Sequence, residues 1–417
     1  MRSTVWRRRR RVSAVASALG ALLLLGGAVA PAATADTMRE RQWYLDRMQA
    51  PAMWKVSTGK GITVALLDTG VIPSVPELTG KVLRGKNFVE PERGAHKDKD
   101  GHGTAMAMLI AGNGVNDQGV KGLAPDARIL PLTVFGSSKE SGTNSIPALV
   151  EAIRYAADSE ARIINMSLAF EYYMVDDKER EQIQQAVDYA IERGKLLLAG
   201  TGNTGEKGND VGYPAASLGV AGISAIDKTL TVTKFSVSGP QVALAAPGED
   251  IPIRCVDGKA GYCSSWGTSQ ATAIASASAA LVWAEHPDWT GNQVLRVLMD
   301  TAGKPTKGKI PSRYLGYGTV RPRMAVLGDP GDPGPADVNP LVAARASASP
   351  SPSPSAPGGS ASPSKQPAPP AGPEAGSEDD QGGPDTTVWI IAGVVAAAVL
   401  AVGAVLLVRR RGTGPRY

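Results

Sequence analysis

The chain has 417 residues, 43% of them hydrophobic and 20% charged, with a formal net charge of +5. Six of its 44 basic residues lie in positions 1–35 and four more in 409–417, and neither stretch contains an acidic residue, so the rest of the chain carries 34 basic against 39 acidic residues. That balance removes the electrostatic case for a nucleic-acid partner.

Residues 1–35 begin with five arginines at Arg7 to Arg11, continue through "ALLLLGGAVA" and reach Ala33 and Ala35 at small-residue cleavage positions. The pattern predicts a secretory signal removed before Asp36. Residues 36–59 form an N-terminal extension, and from Lys60 short apolar runs alternate with helical patterns. "GITVALLDTGV" predicts a strand ending at Asp68, buried on both faces as in a parallel sheet. "AMAMLIAG" after His102 predicts a helix of small residues. Ile146, Leu149, Val150 and Ile153 share a helical face, "RIINMSL" reads as a strand, and Ile183, Val187, Ala190 and Ile191 share a second helical face that Gly194 stops. "KLLLAGTGN" and "LGVAGISAI" return as strands, a long buried helix follows Ser269, and Thr290 caps the helix carrying Val294, Leu295 and Leu298. The alternation predicts a three-layer α/β domain with a mainly parallel sheet over residues 60–327, its ligands at the carboxyl ends of the strands.

Residues 328–387 are rich in Pro, Gly, Ser and Ala and read as a disordered linker. Val388 to Val408 contains no charge. As a helix it spans about 32 Å, enough to cross a bilayer core. Arg409 to Arg411 follow, which predicts a cytoplasmic tail over 409–417 and an extracytoplasmic domain held on a single-pass anchor. Two cysteines, Cys255 and Cys263, in an exported domain predict a disulfide, since two thiols without a nearby histidine do not complete a metal site.

Polar residues stand where the predicted strands end. A serine hydroxyl needs a base to take its proton, and the base needs a third group to fix its tautomer. Of three histidines, His96 lies in a run of charges and reads as a solvated loop residue, and His286 precedes Pro287 at a helix end and reads as a surface or capping residue. His102 in "DGHGTAMA" is flanked by glycines that permit close approach. "LLDTG", "GHGT", "GN" after an apolar strand and "GTS" before a small-residue helix occur in the order Asp68, His102, Asn203, Ser269. Acid, base and nucleophile in that order match the subtilisin triad.

On these motifs, with "NMSLA" at Asn165 to Ala169 and "AAPG" at Ala245 to Gly248, residues 40–327 resemble a subtilisin-family serine peptidase. The resemblance implies Asp68 as orienting acid, His102 as general base and acid, Ser269 as nucleophile, Asn203 as oxyanion donor, and Ser167, Leu168 and Ala169 as cleft lining. Three positions depart from the family pattern: Gln270 stands for the usual Met or Phe, Ala273 for Pro, and Ala169 for Gly. The extension, linker and arginine-stopped anchor are similar to mycosins, membrane-anchored subtilisin relatives associated with type VII secretion in actinobacteria. That likeness implies a short extension packed on the enzyme, since 32 residues between the cleavage site and Asp68 are too few for a folded pro-domain. It also implies protein or peptide substrates at the outer face of the membrane, the secretion machinery as partner, and, as the alternative, a mainly structural part in a membrane complex. The chemistry requires no cofactor and no metal, and the sequence leaves a structural calcium ion open.

Overall fold

Six consecutive buried residues, Thr63–Asp68, form strand β1, as the unbroken apolar run predicts. The computed structural model describes residues 37–136, 145–255 and 261–348. The expected signal, residues 349–387 of the expected linker, the apolar segment 388–408 and the arginine tail lie outside the described residues. Among the described residues no helix is long and apolar enough to cross a membrane.

After β1 come β2 (Lys86–Asn87), β3 (Arg128–Thr133), β4 (Ile163–Met166), β5 (Phe170–Glu171), β6 (Leu196–Gly200) and β7 (Gly212–Tyr213). Then follow β8 (Ala221–Ile226), β9 (Val242–Pro247), β10 (Ile251–Arg254) and β11 (Tyr262–Ser265). Seven of these strands make one sheet in the order β2-β3-β1-β4-β6-β8-β9, with every pair parallel. β5 pairs with β7 and β10 with β11 as small antiparallel ribbons. The order runs outward from β1 in both directions, so the crevice that forms where strand order reverses opens at Asp68.

The helices are α1 (Met38–Arg41), α2 (Trp43–Arg47), α3 (Ala50–Met53), α4 (His102–Ala111), α5 (Ser145–Asp158), α6 (Asp177–Glu192), α7 (Thr268–Glu285), α8 (Gly291–Asp300), α9 (Pro322–Val326) and α10 (Pro340–Ala348). The two-residue period of the strands divides them between two cores. Val64 and Leu66 of β1 and Leu196 and Leu198 of β6 pack in the core with α4 and α7. Ala65, Leu67, Leu197 and Ala199 pack in the core with α5 and α6. Helix α7 lies against α4 and five strands of the sheet. Its Ala, Ser and Thr side chains permit that approach, and Ser276 Oγ accepts a 2.9 Å hydrogen bond from Asn165 Nδ2 inside the core.

The extension is part of the same core. Met38, Tyr44, Leu45, Met48 and Met53 are buried with the α4 and α7 side chains. Full burial of side chains of this size contributes roughly 1.5–3 kcal/mol each. Its polar groups are also tied to the domain: Gln42 Nε2 donates to Lys121 O at 2.8 Å, and Gln42 Oε1 accepts from Lys121 N at 2.9 Å. Trp54 Nε1 donates to Leu123 O, and Ser57 Oγ donates to Leu281 O.

The start of the linker requires a correction. Residues from 328 onward read as free chain, yet Asn292 Nδ2 and Thr290 Oγ1 donate to Ala336 O, and Gln293 Nε2 donates to Gly334 O. Asn339 Nδ2 donates to Gly219 O, and α10 begins at the next residue. Side chains of α8 thus satisfy the backbone of a Pro/Gly-rich segment whose composition suggests no partner.

Candidate active site

The end of β1 and the start of α4 meet through Gly103. A Cβ on that residue would lie 2.1 Å from Gly70 O and 3.1 Å from Asp68 Oδ1, so only glycine lets the helix come so near the strand. This approach puts His102 Nδ1 2.7 Å from Asp68 Oδ1. Asp68 is 2% exposed and His102 29%. With the carboxylate as acceptor, Nδ1 carries the proton and Nε2 is left for other work. Asp68 Oδ1 also accepts from Thr69 N at 2.7 Å, while the buried Oδ2 has no hydrogen-bond partner among the described residues. Burial opposes the charged imidazolium. The Asp68 carboxylate, with Asp100 and Asp98 behind it, outweighs that cost and raises His102 from 6.5 to about 9.

Asp98 supports this corner, a role that the sequence reading missed. Between Lys97 and Lys99 it looks solvated, but it is 7% exposed. Its Oδ1 accepts from Gly101 N at 2.8 Å and Thr69 Oγ1 at 2.9 Å. Its Oδ2 accepts from Thr104 N at 2.8 Å and Thr104 Oγ1 at 2.6 Å. These bonds hold the residues on either side of His102. Burial pushes the Asp98 carboxyl up, against the four hydrogen bonds. His96 is half-buried and its Nε2 lies 2.8 Å from Leu83 O, so it belongs to the loop framework. His286 caps α7 and stacks on Trp289, as its position predicts.

Ser269 occupies the first turn of α7, where backbone N–H groups have no intrahelical acceptor. Its hydroxyl donates to Ser167 O at 3.0 Å, and Ser167 Oγ donates back to Ser269 O at 3.0 Å. No hydrogen bond joins Ser269 to His102 in this conformation. Asn203 is set by the same turn: its Oδ1 accepts from Thr268 N at 2.9 Å and Thr268 Oγ1 at 3.1 Å. With the oxygen occupied, the NH2 group is the end left without a protein partner among the described residues. Ser269, Asn203, Leu168 and Ala169 line a cavity of about 220 Å³. A larger one, about 630 Å³, lies beyond Thr69 and reaches His96, Asp98 and Phe135 but not Ser269. The smaller cavity is the one that adjoins a nucleophile.

The hairpin β10–β11 delivers the chain to Ser269. Cys255 and Cys263 are joined by a disulfide across it, and Gln270, 3% exposed, donates from Nε2 to Ser265 Oγ at the end of β11. Gln270 therefore couples hairpin to helix by a hydrogen bond where the family usually relies on an apolar side chain. Ala273 is buried within α7. Among the described residues no three His, Cys, Asp or Glu side chains converge as a metal site.

This arrangement carries the elements of acyl transfer: an imidazole oriented by a buried carboxylate, and a hydroxyl at a helix start with a free amide donor beside one cavity. Residues 59–318 match the model of the Subtilase family. The chain is 34% identical over 242 residues to the major intracellular serine protease of Bacillus subtilis, covering 56% of this chain and 72% of the relative. The crystal structure of MycP1 from Mycobacterium smegmatis is similar with a TM-score of 0.64 and 27% identity, covering 73% of this chain and 89% of that one. A second MycP1 structure, described as a serine protease and an essential component of the type VII (ESX-1) secretion system, gives 0.62 and 30%, covering 70% and 90%. The chain belongs to the subtilase family and is a subtilisin-like serine endopeptidase, close in structure to the mycosins.

Proposed function

We propose that Ser269 attacks the peptide carbonyl while His102 Nε2 takes its proton, with Asp68 holding the imidazole and stabilising its charged form. The side-chain amide of Asn203 and the backbone N–H of Ser269 receive the developing oxyanion. His102 passes the proton to the leaving amine, and water, activated in turn by His102, releases the acyl group. The observation that carries this reading is the 2.7 Å Asp68–His102 contact at the carboxyl end of β1; Ser269 and Asn203 line one cavity. Rotation about one side-chain bond frees Ser269 from Ser167 O, and catalytic hydrogen bonds of this kind often form only once substrate is bound.

Placed in the cell, the chain is a mycosin-like endopeptidase anchored through Val388 to Val408, with its domain outside, acting on type VII secretion substrates or components. The signal-like residues 1–35, the uncharged segment Val388 to Val408 followed by arginines and the likeness to MycP1 support this placement. A mainly structural part in the secretion complex is the second reading, favoured by a Ser269 hydroxyl parked on Ser167. Two measurements decide. A serine-directed fluorophosphonate labels the wild type and fails on Ser269→Ala, and secretion that persists unchanged in the variant supports the structural reading. Protease added to intact protoplasts releases the soluble domain, whereas protection until the membrane is broken refutes the orientation.

A further inference from the structure

The cavity beside Ser269 has an acidic lining that the reaction itself does not use. Glu171 and Asp210 contribute to its wall together with Asn203, Gly202, Gly212 and Ala169. Both carboxylates are half-buried, and neither forms a salt bridge among the described residues. Glu171 accepts a hydrogen bond from the Tyr173 hydroxyl, and Asp210 has no side-chain hydrogen bond among the described residues. Arg180, on the same side, is already held by Asp177 and by Tyr172. The Tyr173 phenol feels both acids: its ionisation is pushed up by its hydrogen bond to Glu171, by the Glu171 charge and by the Asp210 charge. Two acidic groups therefore line one slot, and neither is paired with a cation among the described residues.

The shape of the slot restricts what can supply the balance. A Cβ added to Gly212 would lie 2.9 Å from the Ala169 methyl, and one added to Gly202 would lie 3.7 Å from the same methyl. Ala169 thus stands between the two glycines and narrows the passage, which favours an unbranched methylene chain over an aromatic ring. Glu171 pairs opposite Gly212 in the β5–β7 ribbon, four residues beyond Ser167, which touches Ser269. That separation is at most about 14 Å along an extended chain. A long side chain leaving the carbonyl under attack, met by the length of the glutamate, bridges it.

Resting on the peptidase reading above, we propose that the enzyme cleaves on the carboxyl side of lysine or arginine, whose cationic end enters this cavity and pairs with Glu171 and Asp210. The slot desolvates both partners in part, so the pair is worth more than one on an open surface.

Two peptidyl diphenyl phosphonates identical except for lysine or norleucine at the phosphorus-bearing residue test the proposal on the purified full chain. Ser269 Oγ bonds phosphorus, phenoxide leaves and His102 takes the hydroxyl proton, so the rate of Ser269 modification, read by mass, reports the fit. The lysine probe is expected to react roughly tenfold to hundredfold faster. Glu171→Gln with Asp210→Asn brings the ratio of the two rates toward one, and high salt reduces it in the wild type. Equal rates in the wild type, or a ratio that survives the double substitution, overturn the proposal. So does inertness to both probes while a small fluorophosphonate still labels Ser269. Failure of the fluorophosphonate itself removes the peptidase reading and this one with it.

Discussion

The two halves of the site differ in how firmly they are held. Asp68 and His102 are in contact at 2.7 Å, and Thr69 and Asp98 brace the residues around them with further hydrogen bonds. Ser269, by contrast, has its backbone placed by the α7 turn and its hydroxyl lodged on Ser167 O. The difference follows from what each half does. A field that stabilises an imidazolium acts best when fixed before the reaction, because no reorganisation is then needed. A nucleophile has to leave the bond that it keeps at rest. Asp68–His102 is therefore the rigid half and Ser269 the half that moves.

The largest effect that sharpens this contrast is expected from Asp68→Asn, which keeps the shape of the rigid half and removes its charge. Loss of the orienting aspartate lowers kcat by about 10⁴ in the serine proteases in which it has been measured. It also moves the pH profile. Neutral His102 is the active form, so wild-type kcat/KM is present above the His102 pKa and falls as pH drops through it, on a limb displaced from 6.5 toward about 9. In the variant burial remains without the carboxylate, and the residual limb shifts to lower pH. A limb that stays in place removes Asp68 from its role. The sign for stability is opposite: a raised histidine pKa gives stability that is complete below about 6.5 and is withdrawn as pH rises toward about 9.

Asn203→Ala touches the moving half through the transition state. A loss of about 10² to 10³ in kcat with little change in KM is the scale for a single oxyanion donor, a value established in subtilisin itself. Full kcat in the variant makes Asn203 only an acceptor for Thr268. Asp98→Asn is expected to cost least, roughly tenfold in kcat and about 1–3 kcal/mol in stability, because the amide keeps one acceptor oxygen and relieves a buried charge. Urea unfolding and steady-state kinetics on one preparation read both numbers. Unaltered kinetics with lost stability leave Asp98 a scaffold residue without influence on His102.

Much of this was legible in the sequence. The unbroken burial of β1 and β6 on both faces follows from their apolar runs, and Asp68, His102, Asn203 and Ser269 stand out because each follows a strand or opens a helix beside glycine. What escaped depends on groups far away in the chain. Asp98 reads as solvated because its donors, Thr69, Gly101 and Thr104, are arranged around it only by the fold. Strand β3 is disguised by Pro131, which is tolerated because the neighbouring β2 pairs only with Leu132 and Thr133. Residues 328–348 are placed by α8 side chains, and composition does not record a partner. The acidic lining was missed because Glu171 and Asp210 lie 39 positions apart and meet only through the β5–β7 ribbon.

The position of α10 also sets a path for mechanical load. Asn339 is bonded to Gly219, just before β8, and Leu341 lines a cavity with Gln241 and Val242 at the amino end of β9. The reactive groups lie at the carboxyl ends of the strands, a strand length of about 20 Å away. Tension applied through residue 348 therefore reaches the Asn339–Gly219 bond and the α8 contacts first, before it can disturb the hairpin that carries Ser269.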